Sequence, residues 1–156
     1  MSVKPIPDGY HSVSPYLIVA DGAKAIGFYR EVFGAQLRLR LDGPNGKVGH
    51  AELEIGDSVV MLADEHPEMG ALAPTSIGAT PVGLHLYLDD VDAVAAKAVA
   101  AGATLKSPVE NKFYGDRLGS IVDPFGHLWH ISTHVEDVSA EEIGRRAAAL
   151  AKGQGA

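Results

Sequence analysis

Residues 15–41 read PYLIVADGAKAIGFYREVFGAQLRLRL, and this run decides the fold. Its opening is a short apolar strand, its middle a helix and its end the alternating LRLRL of a second strand. Asp21 can accept hydrogen bonds from the free N–H groups at a helix start, and Gly34 can take the left-handed conformation that ends one. Between them Ile26, Tyr29 and Phe33, with Ala25, Phe28 and Val32, form a broad apolar stripe that requires a sheet to lie on.

Working outward, residues 83–106 repeat the grammar as GLHLYLDDVDAVAAKAVAAGATLK, with Asp90 and Gly102 in the capping places. Each half then continues with two alternating segments around a glycine turn. They are GHAELEI, Gly56-Asp57 and SVVMLA in the first half, then GSIVD, Pro124-Phe125-Gly126 and HLWHIST in the second. Gly49 matches Gly119 and Gly56 matches Gly126 at one common offset. The expectation is an α+β fold of two βαβββ modules in a single domain, residues 1–156. The first module covers 12–64, a linker 65–82 and the second module 83–134. Ser139 and Glu142 make a capping-box pattern before an Ala-rich C-terminal helix, 139–152, that covers a sheet edge or a partner subunit or packs loosely.

A chain of 156 residues with 46% hydrophobic and 21% charged residues is of ordinary globular composition. A formal charge of −7 argues against general nucleic-acid binding, which needs surplus Lys and Arg to neutralise phosphates. The absence of cysteine excludes disulfides, thiolate nucleophiles and iron–sulfur ligation, so any metal must bind His, Asp or Glu. SVKPIPDGY at the start lacks the apolar core of a signal peptide, and no later run approaches the ~20 apolar residues of a membrane span. A cytoplasmic protein with no membrane partner is expected.

Strand alternation separates two faces. Leu17, Val19, Ala51, Leu53, Ile55, Leu84, Leu86, Leu88, Trp129 and Ile131 are expected against the helices. The opposite parity holds Tyr16, His50, Glu52, Met61, His85, Tyr87, Leu128 and His130, a mixed polar and aromatic set suited to a small-molecule pocket. The plain alternative is the solvent face of half-exposed strands. Tyr114 to Arg117 lies at a loop or strand start, where Arg117 can clamp a carboxylate or phosphonate with Asp116 orienting it, or simply shape the turn with Asp116. Arg38 and Arg40 are expected as outer-face charges, and His127 as exposed. Asp123, Pro124 and Gly126 read as turn chemistry. The expected ligand-binding residues are thus Tyr16, His50, Glu52, Met61, His85, Tyr87, Tyr114, Arg117 and His130.

The segments IGFYREVFGA, GHAELEIGDSVVMLADE, LYLDDVDAV and FYGDRLGSIVDPFGHLWHISTH resemble the vicinal oxygen chelate superfamily (glyoxalase/bleomycin resistance protein/dioxygenase), and within it the PhnB-like branch. The resemblance covers roughly residues 10–138 and implies that the eight strands form an open, incompletely closed barrel around a cavity. Metal-dependent members hold one divalent ion through a side chain on the first and last strand of each module. Carried across by position, these places fall on Ser14, Met61, Gly83 and His130, of which only His130 is a competent ligand. The resemblance therefore implies a metal-free protein that binds or sequesters a small polar or aromatic compound, and a homodimer. The alternative is a metal-dependent lyase, isomerase, dioxygenase or transferase whose divalent ion is held by His85, His130 and either His50 or Glu52. A metal-free enzyme with Glu52, His85 or His130 as general base is a third reading.

Overall fold

The computed structural model describes residues 2–154. The elements run β1 (Tyr16–Val19), α1 (Gly22–Phe33), β2 (Gln36–Asp42), β3 (Val48–Ile55), β4 (Ser58–Asp64), α2 (Pro74–Ile77), β5 (Gly83–Tyr87), α3 (Val91–Ala100), β6 (Thr104–Asn111), β7 (Asp116–Val122), β8 (Leu128–His134) and α4 (Ala140–Gln154). This is the expected α+β pattern, with two separate four-stranded mixed sheets and a C-terminal helix. The chain divides into two compact units. One holds residues 2–82 together with Asp123–His127, and the other holds Gly83–Val122 with residues 128–154.

In the first unit the sheet order is β1-β4-β3-β2, with β1 parallel to β4 and the other pairs antiparallel. Asp21 caps α1 by accepting from the Lys24 N–H at 3.1 Å, and Gly34 ends it at φ 69°. The helix start is clamped to the sheet: Asp64 accepts from Gly22 N and Val48 N, and a Cβ on Gly22 would stand 2.7 Å from that of Val48. Ala25, Ile26, Phe28, Tyr29 and Val32 of α1 are buried, as are Leu17, Val19, Ala51, Leu53, Ile55 and Leu62 of the sheet. The expected helix-facing parity is what is seen in these strands.

β2 departs from simple alternation. A bulge at Arg38 lets Leu37 pair with Leu53, whereas Leu39 pairs with Glu52 and Leu41 with His50. Residues opposite one another in a ladder share a face, so the bulge moves Leu39 and Leu41 onto the face away from α1. Arg38 is not a simple outer-face charge either. Its guanidinium lies 4.9 Å from the Tyr10 ring centroid and 4.0 Å from the Glu54 carboxylate.

The Asp123–His127 turn packs within the first unit. Phe125 is buried with its ring centroid 6.1 Å from those of Phe28 and Tyr29. Buried Asp123 accepts from the Tyr29 hydroxyl at 2.5 Å and from the Phe125 and His127 N–H groups at 2.9 Å each. His127, expected to be exposed, is half-buried, and its Nε2 meets the Ile18 carbonyl at 2.9 Å. The turn residues are thus turn chemistry and core at once.

The second unit repeats the topology as β5-β8-β7-β6, with β5 parallel to β8. Asp90 caps α3 through Ala93 N at 3.1 Å, and Gly102 takes φ 108° after the helix. Val91, Ala95 and Ala98 are buried, along with Leu118, Ile121, Trp129 and Ile131. At the start of α4 Ser139 caps Glu142 N at 3.1 Å, but the Glu142 carboxylate turns to Arg145 and Arg146 and does not close a reciprocal box. Arg146 donates to the Phe113 carbonyl and the Glu136 carboxylate, tying the helix to the end of its own unit.

Ladder register also corrects the glycine correspondence. Glu52 opposes Met61, and Ser120 opposes His130, so these two pairs are equivalent. The first hairpin turns on Gly56 and Asp57 alone, while the second uses all of Asp123–His127. The common Gly49/Gly119 and Gly56/Gly126 offset therefore does not mark equivalent places.

Candidate functional site

On the face away from α1, one row crosses the first sheet from Tyr16 through Met61 and Glu52 to Leu39. The equivalent row in the second sheet is His85, His130, Ser120 and Ser107. A hydrogen-bonded chain on this face links Tyr16 and Glu52 of the first row through His50, which lies two residues along β3 opposite Leu41. The Tyr16 hydroxyl lies 3.0 Å from His50 Nδ1, and His50 Nε2 lies 2.9 Å from Glu52 Oε2. Glu52 Oε1 accepts from the Tyr10 hydroxyl. Glu52 is only 7% exposed, and its bonds from Tyr10, then from His50, hold its carboxyl below the ordinary range against the opposing push of burial. The same bond raises the Tyr10 phenol. An ionised carboxylate only accepts, so His50 Nε2 donates to Glu52; if the ring carries that proton alone, Nδ1 is left to accept from Tyr16.

A cavity of about 550 Å³ opens at the C-terminal ends of β1 and β4. Tyr16, Ile18, Val48 and Ala63 form part of its wall, with the Gly43–Lys47 turn and the His66–Met69 segment around the mouth. Of the nine expected ligand-binding residues, Tyr16 lines this cavity; the rest do not. The linker contributes structure here, with a 3-10 turn at Pro67–Met69 and the short α2. Glu65 accepts from Ala73 N at 2.6 Å and is held below the usual carboxylate range by its bonds from Ser76 and Ala73.

In the second unit each expected residue has a partner. His85 Nε2 lies 2.8 Å from Ser132 Oγ, His130 Nδ1 lies 2.7 Å from Ser120 Oγ, and the Tyr87 hydroxyl donates to Asp116 at 2.8 Å. Asp116 does not orient Arg117. It accepts from Tyr87 and faces His134, whose other nitrogen meets Asp137. Burial pushes the Asp116 carboxyl up, but the bonds from His134 and Tyr87 overcome this and hold it low. Arg117 meets Asp92 through two contacts of 2.7 and 2.9 Å, with Asn111 as a further partner, so its guanidinium secures the first turn of α3. Tyr114 is half-buried and meets Phe113 edge-on at 5.1 Å.

Tyr10 was missed by sequence reasoning, and Arg38 was expected only as an outer-face charge. Nothing in the polar N-terminal run singles out Tyr10, and the bulge that brings Arg38 to it has no glycine or proline to announce it.

The chelating positions do not fit a resident ion. Gly83 offers no donor, and the His130 ring fills the space beside it: a Cβ there would lie 2.8 Å from His130 Nε2. Among the described residues no three His, Asp or Glu side chains form a metal-holding group.

The Glyoxalase/Bleomycin resistance protein/Dioxygenase superfamily profile matches residues 10–131. The chain belongs to this superfamily. An uncharacterized protein of Mycobacterium bovis is 44% identical to it over 147 residues, 92% of this chain and 95% of the relative. Among solved structures, TioX from Micromonospora is 29% identical with a TM-score of 0.61, covering 80% of this chain and all (100%) of TioX. FosX from Listeria monocytogenes, a fosfomycin resistance protein solved with manganese(II) and sulfate, shares 17% identity at a TM-score of 0.61, covering 88% and 97% of the two chains. At that identity the likeness to FosX is one of fold. Within the superfamily, this chain keeps the paired βαβββ scaffold.

Proposed function

We propose that this superfamily member is a metal-free binding protein for a small polar or aromatic compound, held on the first unit between the cavity and the Tyr16–His50–Glu52 row. The observation that carries the reading is the exchange of chelating side chains for Ser14, Met61 and Gly83, combined with a polar chain that leads from a buried carboxylate to a cavity wall. The YGDR and DPFGH segments support its assignment to the PhnB-like branch. We include in the reading a homodimer acting in the cytoplasm.

The competing reading is a metal-dependent enzyme. It draws on His85 and His130, which oppose one another in the ladder with ring centroids 6.3 Å apart. Elemental analysis of protein purified without a His tag separates the two. We expect no stoichiometric metal. Stoichiometric Zn, Mn, Fe or Ni that disappears in His85→Ala or His130→Ala would overturn the metal-free reading.

A further inference from the structure

Tyr16 belongs to two features at once, the wall of the first unit's cavity and the end of the hydrogen-bonded chain. Its side chain is half exposed, so the phenol is open to a ligand, while the Tyr16 and His50 rings lie 5.5 Å apart. With the His50 ring neutral and its proton on Nε2 towards Glu52, Tyr16 donates to Nδ1, and this leaves the phenol oxygen able to accept from a ligand. Glu52 meanwhile fixes the imidazole from behind, in the way that an acid–imidazole–hydroxyl chain is poised to move protons.

We propose that Tyr16, His50 and Glu52 form a proton relay that takes the proton of an acidic hydroxyl, a phenol or an enol, bound in this cavity, and holds the ligand as its oxyanion. The proposal rests on the small-molecule reading above. In the step, the ligand O–H bond breaks and its proton bonds to the Tyr16 oxygen. The proton that Tyr16 carried passes to His50 Nδ1. The ligand keeps the electron pair of the broken bond, and the imidazolium so formed is neutralised by Glu52.

The surrounding charges are accounted for. Arg38 and Tyr10 stand over the Glu52 end, with Glu54 next along β3. At the cavity, Asp64 is occupied by the Gly22 and Val48 N–H groups, Glu65 by Ser76 and Ala73 N with the Lys47 ammonium acting on it, and Glu68 by His66 at 3.1 Å, so the charge that faces an oxyanion in this proposal is the His50 imidazolium itself.

The probe is p-nitrophenol, whose absorbance reports its own ionisation, titrated with full-length protein dialysed against EDTA. We expect the bound probe to ionise roughly one pH unit or more below the free probe, the size of shift that a nearby opposite charge produces. That shift is lost in Tyr16→Phe and reduced in Glu52→Gln, which leaves Tyr16 in place. Failure of the wild type to bind the probe, a bound probe that ionises as it does free, or a shift unchanged in both variants overturns the relay. None of these outcomes bears on metal content, so the relay and the metal-free reading fail separately.

Discussion

Among the described residues, Glu52 and Asp116 are buried carboxylates that face away from the helices, 7% and 4% exposed, and each keeps its charge through a phenol and an imidazole. At Asp116 the imidazole belongs to His134, which stands between two carboxylates and is raised above its ordinary value by the Asp116 bond and then the Asp137 bond. A raised pKa means that the folded state binds the proton more tightly than the unfolded chain. The resulting stability is fully present below the ordinary imidazole value of about 6.5, and is lost as pH climbs through the raised one. We therefore expect His134→Gln to be less stable than wild type in mildly acid solution, with the gap narrowing as pH rises. Urea unfolding at a series of pH values measures it, and a gap that is flat or widens with pH would refute the assignment. Asp116 titrates with the opposite sign, its contribution falling away only as pH drops through its lowered value.

At the scale of elements, the caps and the alternation were legible because each depends on a few adjacent residues: Asp21 and Gly34 around α1, Asp90 and Gly102 around α3. What was not legible depends on partners distant in sequence. The Arg38 bulge is set by how β2 meets β3, and the Asp92 partner of Arg117 lies on another element. The polar row was found by parity, whereas Tyr10, which completes it, comes from a segment with no periodicity to read. The DPFGH turn is the sharpest case. Its sequence announces a turn, but not that Phe125 enters the core around Phe28 and Tyr29. Phe125→Ala should cost about 3–5 kcal/mol, as other buried Phe truncations do. Trp129 lies in the other unit, yet the chain runs through this turn to reach β8. Unfolding followed by Trp129 fluorescence should shift along with far-ultraviolet circular dichroism in this variant. A Trp129 transition that stays in place would show that the turn does not couple them.

For the whole molecule, the relevant feature is open sheet edge. Each four-stranded sheet ends in two strands without a further ladder among the described residues, β1 and β2 in one, β5 and β6 in the other. Leu39 and Leu41 on β2, Tyr16 on β1 and Tyr87 on β5 are large and exposed. Unpaired edges with apolar side chains favour association, which supports the proposed homodimer. Light scattering at micromolar concentration should return twice the 16.3 kDa chain mass, and a monomeric mass would refute it. No helix among the described residues is long and apolar enough to cross a membrane.

The hairpin that joins β7 to β8 also constrains how such a chain can be recombined. Val122 and Leu128 face each other across the ladder, so the chain departs from the second sheet and returns to it at opposed positions, having deposited Asp123–His127 in the first unit. A chimera that exchanged everything after residue 82 for the matching half of a relative would carry a foreign plug into the retained half. A clean exchange has to cut at three places and leave those five residues with their original owner.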